Sequence, residues 1–139
     1  MKTMVCSVAG AIGGTICAAL GGCDTALKAL LICMAIDYAS GWAVAAIFHK
    51  SPKTDTGAYA SNVGLKGLAR KAMMFGIVCL GTMMDDLLGV AYLRDAIVIG
   101  FMVNESISIV ENAGLMGLPM PKVVTKALDV LANKVDAAK

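Results

Sequence analysis

The residues from Ala96 to Lys122, AIVIGFMVNESISIVENAGLMGLPMPK, set the terms for the whole chain. The run follows an acidic turn and stops at prolines. About 20 residues, at about 1.5 Å rise each, cross the ~30 Å hydrocarbon core of a bilayer, so it is long enough to span. Its middle and second half nevertheless carry Asn104, Glu105, Ser108, Glu111 and Asn112. At about 100° per residue, those five fall within about a third of a helix's circumference. Ile99, Met102, Val103, Ile107, Ile109 and Val110 take the remainder. A membrane helix with a polar stripe and an apolar back is built to face protein or water on one side.

Composition points the same way. The chain is 58% hydrophobic and only 16% charged, with a mean hydropathy of +0.77. A soluble domain is nearer ~45–50% apolar and ~25% charged. The 139 residues suffice for one domain, and a net charge of +2 is too small to imply nucleic acid. All five cysteines lie in or beside apolar runs, without a CxxC pair, and His49 has no neighbouring ligand. They are read as buried small hydrophobes, so neither a disulfide framework nor a metal site is expected. No nucleophile–base pair and no phosphate loop stands out, so neither an enzyme nor a cofactor is expected.

Charged residues cut the chain into four apolar segments, about 4–23, 26–48, 72–92 and 96–116. The first is rich in Gly and Ala. Its Gly10 and Gly14 form a GxxxG, which lets helix backbones approach closely in lipid. An alternative is a signal peptide, with Lys2 as its basic start and Leu20-Gly21-Gly22-Cys23 resembling a lipoprotein cleavage box. The second segment carries Asp37 near its middle, followed by Gly41. An acid at that depth should face the bundle interior or water. It is either a pore residue or an Asp bonded to a neighbouring helix, through Asn104 or a hydroxyl.

Residues 49–71 form the longest polar stretch, with Lys50, Lys53, Lys66, Arg70 and Lys71 against Asp55 alone. It reads as a basic loop whose second half forms a short interfacial helix. The apolar core of the third segment is short, and Lys71 at its edge is expected to snorkel. After the fourth segment, Gly117, Pro119 and Pro121 stop the helix. The tail, 117–139, then reads as amphipathic from Lys122. Val123, Val124, Ala127, Leu128 and Leu131 share one face, and Lys122, Lys126, Asp129, Asn133 and Asp136 lie elsewhere.

Lysine and arginine bias sets orientation. The basic loop and the tail belong in the cytoplasm, and the acidic turn around Asp85, Asp86 and Asp95 belongs outside. The expected fold is therefore an all-α integral membrane protein. It has four transmembrane helices, both ends inside and a short amphipathic C-terminal helix. Three spans, with the first segment on the surface or outside, are the alternative.

The run Asn104-Glu105-Ser106-Ile107-Ser108-Ile109-Val110-Glu111-Asn112, then Gly114, then Gly117-Leu118-Pro119-Met120-Pro121-Lys122, resembles the signature of a phage holin family that includes clostridial toxin-secretion holins. Asp37 with Gly41 resembles that family's Asp–Gly pair. Ser61, Gly64, Gly67, Arg70 and Lys71 are similar to its basic linker. The resemblance covers about residues 30–131. It implies a protein that homo-oligomerises in the host cytoplasmic membrane and opens lesions. An endolysin, or in some relatives a toxin, passes through them; an antiholin is a further implied partner. Two other classes remain: a small channel or transporter subunit using Asp37, Glu105 and Glu111, and an antiholin-like accessory that associates without opening. On either lysis reading, the polar stripe glues helices together or lines the lesion.

Overall fold

The structure is a computed structural model that describes residues 1–137. Residues 138–139, and the side chains of Lys2, Leu128, Leu131, Ala132, Val135 and Asp136, lie outside the described residues. Five helices follow one another: α1 Lys2–Ala19, α2 Thr25–Ala46, α3 Ser61–Leu88, α4 Leu93–Leu115 and α5 Lys122–Ala137. The described residues contain no strand. The fold is all-α, as the hydrophobic pattern implies.

Helices α2 and α4 make the most extensive contact, and α3 packs against α4 and more lightly against α2. Leu27, Leu30, Met34, Val78 and Val98 fill the core, with Leu20 from the α1–α2 turn. Gly81 lets α3 come close to α4, because a Cβ there would lie 2.6 Å from Ile97 Cδ1 and 3.1 Å from Arg94 Cα. Outside this small core the bundle is coated with exposed Val, Ile, Leu and Met, among them Ile32, Ile36, Leu80, Met83 and Ile99. A water-soluble monomer rarely exposes apolar area on this scale. In lipid the same side chains are solvated, because hydrocarbon tails are as apolar as leucine.

Helix α1 differs from the rest. Its residues are exposed along nearly its whole length, and no Cβ added at Gly10, Gly13 or Gly14 would meet an atom within 4 Å. Among the described residues, Gly10 and Gly14 pack against nothing in this chain's own bundle. Among the described helices only α2 combines full spanning length with low charge; the apolar part of α1, Thr3–Ala19, is shorter.

Two expectations need correction. The basic loop does not run to residue 71. It ends at Ala60, and α3 is one continuous helix of 28 residues carrying Lys66, Arg70 and Lys71. Gly64 and Gly67 do not interrupt it, because an isolated helical glycine costs only about 1 kcal/mol, and the Leu and Ala around them favour helix. Lys50 and Lys53 remain in the loop. The cysteines are not all free either. Cys17 and Cys23 form a disulfide across the α1–α2 turn, while Cys6, Cys33 and Cys79 are unpaired. The turn brings the two Cα atoms within 5.3 Å, inside the range that a disulfide bridges.

Candidate functional site

The bundle holds two clusters of charge, one buried at mid-length and one at the end where both helical hairpins turn, in which Arg94 is buried and its acidic partners are about half exposed. The first gathers a residue from each of α2, α3 and α4. Lys71 Nζ donates to Asp37 Oδ2 at 2.8 Å and also to Glu105 Oε2. Their side chains are 13%, 15% and 6% exposed, which leaves little room for water to screen them. Asn112 Nδ2 donates to Asp37 Oδ1 at 3.3 Å and to Ser40 Oγ at 2.9 Å, stitching α4 to α2 about two turns beyond Glu105. Gly41 lies beside this contact, but the approach does not require a glycine: a Cβ there would sit 3.6 Å from the Asn112 amide, an ordinary contact distance. A buried charge is costly unless paired and hydrogen-bonded, and here each is.

The polar stripe of α4 therefore divides. Glu105 and Asn112 are buried, Ser108 is half-buried, and Asn104 and Glu111 are exposed. Asp37 is bonded across helices, but its partners are Lys71 and Asn112 rather than Asn104. Lys71 turns inward instead of snorkelling, because two carboxylates hold it there. Sequence reasoning missed this role. The pairings lie 34 residues apart along the chain, beyond any local periodicity.

The second cluster centres on Arg94, at the start of α4. Its five N–H donors meet five acceptor contacts. Nε donates to the Leu20 carbonyl at 2.7 Å and Nη2 to the Gly22 carbonyl at 3.1 Å. Nη1 and Nη2 grip both oxygens of Asp24, at 2.7 and 3.1 Å, and Nη1 also reaches Asp95 at 2.9 Å. Gly21 makes the grip possible. Its φ is +79°, and a Cβ would lie 2.8 Å from Arg94 Nε. Asp24 also caps α2, accepting from Leu27 N at 2.9 Å. The hydrogen bond from Arg94, and then the one from Leu27, hold the Asp24 carboxyl down at about 2. Asp85, from the last turn of α3, accepts from the backbone N–H groups of Leu93 and Arg94 at 3.0 Å and closes the start of α4. Asp24, Asp85 and Arg94 were not among the predicted site residues; only Arg94's isolation in an acidic turn signalled it.

Of the remaining predicted residues, Lys50 and Lys53 lie in the α2–α3 connection, and Gly117, Pro119, Pro121 and Lys122 form the exposed joint between α4 and α5. Among the described residues no group of three His, Cys, Asp or Glu side chains is placed to hold a metal ion.

Comparison with known proteins decides the family. The profile of the bacteriophage holin family matches residues 14–133. The chain belongs to the bacteriophage holin family. The match takes in both charge clusters and most of α5. Among its relatives, an uncharacterized protein of Halalkalibacterium halodurans is 40% identical over 111 residues, 76% of each chain. An uncharacterized 14.9 kDa protein in the nagH 3' region of Clostridium perfringens is 33% identical over 116 residues, 82% of each chain. An uncharacterized protein of Listeria monocytogenes is 32% identical over 115 residues, 82% of this chain and 76% of the relative. No solved structure matches. Holins are not an enzyme family, and the match together with apolar α2 supports a membrane protein.

Proposed function

We propose that this protein acts as a phage holin: copies accumulate in the host cytoplasmic membrane, assemble, and open lesions through which an endolysin or a toxin leaves the cell. The observation that carries the reading is the Asp37–Lys71–Glu105 cluster, buried at mid-length among three helices whose outer surfaces are apolar. Such a cluster is stable while the helices stay packed and becomes a ready lining for water once they separate. Asn104 and Glu111, exposed on α4 beside it, extend the polar surface available to a second copy or to water. Gly10 and Gly14 on the unpartnered α1 supply a close-packing face for assembly.

Four helices cross the membrane in this reading. The α1–α2 turn and the α3–α4 turn meet through Arg94, so α1 and α2 reverse at the same end as α3 and α4. That end carries Asp24, Asp85, Asp86 and Asp95 and faces outward; the lysine-bearing loop and tail face the cytoplasm. A channel that passes only ions is the second reading, favoured by the same buried triad.

Induced expression with and without a cytoplasmic endolysin, followed by turbidity, tests the proposal. A holin stops growth abruptly and gives rapid clearing only when endolysin is present. Leakage of ions with the endolysin retained inside would replace the holin reading with the channel.

A further inference from the structure

Beside the buried triad, toward the proposed cytoplasmic end, lies a cavity of about 140 Å³ between α2, α3, α4 and the loop that joins α2 to α3. Its deep wall is the Asp37–Lys71 pair, whose polar atoms are already engaged. Its outer wall is not. Lys53, from the loop, and Glu111, from α4, line it and form no ion pair with each other or with any described residue. Trp42, Tyr38 and Tyr59 add aromatic surface, each between a third and a half exposed. The two tyrosine hydroxyls converge over Gly64, where a Cβ would lie 3.1 Å from Tyr59 Oη and 3.6 Å from Tyr38 Oη.

The lining is bipolar. A carboxylate framed by aromatic rings suits an ammonium group. An ammonium with nearby phenolic donors suits a phosphate. Glu111 lies six residues beyond Glu105 on α4, about 9 Å nearer the cytoplasmic end at helical rise. Half-exposed Trp and Tyr at that level are what the headgroup boundary of a bilayer selects. We propose that this cavity binds one zwitterionic phospholipid headgroup of the phosphoethanolamine type. Its ammonium sits at Glu111 and the aromatic wall, and its phosphate at Lys53 and the tyrosine hydroxyls. An anionic headgroup would leave Glu111 without a cation. A choline headgroup lacks the N–H donors that a carboxylate accepts.

The inference rests on the membrane reading of this chain but not on lesion formation. Trp42 is the only tryptophan, so its fluorescence reports on the cavity. The full-length protein, purified in a mild non-ionic detergent, is titrated with soluble dihexanoyl phosphatidylethanolamine. The same titration is run with the phosphatidylglycerol and phosphatidylcholine analogues and with free phosphoethanolamine. We expect saturable binding of the ethanolamine lipid, at least about tenfold tighter than any other arm. Glu111→Gln and Lys53→Gln should each weaken it about tenfold, the equivalent of one lost charge-assisted contact. Lys53→Arg should retain it. Both positions are outside the packed core, so circular dichroism should confirm intact helices.

Equal binding of the glycerol or choline lipid overturns the headgroup assignment. Equal binding of free phosphoethanolamine assigns the site to a soluble ester and overturns the lipid. Unchanged affinity in both charge variants overturns the site. Alkaline extraction of membranes from induced cells is scored alongside. A protein released by alkali fails the membrane reading, and that result is read separately from headgroup binding.

Discussion

Lys71 holds together two acids that the sequence places on different helices. With all three ionised the cluster has one surplus negative charge, and the Asn112 amide and Ser40 hydroxyl steady the Asp37 end. Lys71→Met removes the cation and keeps most of the side-chain volume. It leaves two carboxylates buried and unpaired. We expect a loss of about 3–5 kcal/mol in stability, the range for breaking a buried pair from one side. Thermal unfolding of the detergent-purified protein measures it. Adding Glu105→Gln to Lys71→Met should recover part of the loss, since one unpaired charge is gone. An unchanged melting temperature for Lys71→Met alone would show that the triad holds nothing together. The inward position of Glu105 and Asn112 was legible in the helical period of α4. The partner was not: a lysine next to an apolar run reads as a snorkelling anchor, and only the three-dimensional approach of Asp37 and Glu105 turns it inward.

At the scale of elements, the sequence made the helices plain and obscured how they are joined. Long apolar segments announced α2, with its lone Asp37, and α4, with its polar stripe. The start of α3 was hidden by two glycines and three basic side chains, which look like a loop until the helix is seen continuing through them. The connection of α1 is less legible still. It depends on Gly21 in a left-handed conformation, on a disulfide between cysteines that sit in apolar surroundings, and on Arg94 reaching 74 residues back to a carbonyl. Because the packing of α1 against the bundle is so slight, this clamp is its main attachment. Arg94 holds the Asp24 carboxyl at about 2, below its ordinary 3.8, so the clamp strengthens the folded state wherever Asp24 is ionised. Its contribution is complete above about pH 4 and fades as pH falls through about 2. Asp24→Asn should therefore lower the melting temperature at pH 6 and make no difference near pH 1.5. A gap between wild type and variant that persists unchanged at the lower pH would rule out the Asp24 charge as its source.

For the molecule as a whole, the open quantity is how many times the chain crosses the membrane, and the clamp makes it measurable. If α1 spans, the α1–α2 turn and the α3–α4 turn share the outer face while the amino terminus and the start of α3 share the cytoplasm. If α1 lies outside, its amino terminus joins the two turns. Four single cysteines separate the cases, placed at Thr3, Thr25, Ser61 and Leu87 in a chain whose native cysteines are replaced by serine. All four positions are exposed in the fold, so membrane side, not packing, controls their reaction with an impermeant thiol reagent on intact cells. The four-span arrangement predicts labelling at Thr25 and Leu87 and protection at Thr3 and Ser61, with all four labelled after the membrane is opened. Labelling at Thr3 together with Thr25 and Leu87 would establish three spans with α1 outside. Labelling at Thr3 and Ser61 alone would invert the bundle. It would place the acidic clamp in the cytoplasm, against the lysine and arginine bias on which the orientation rests.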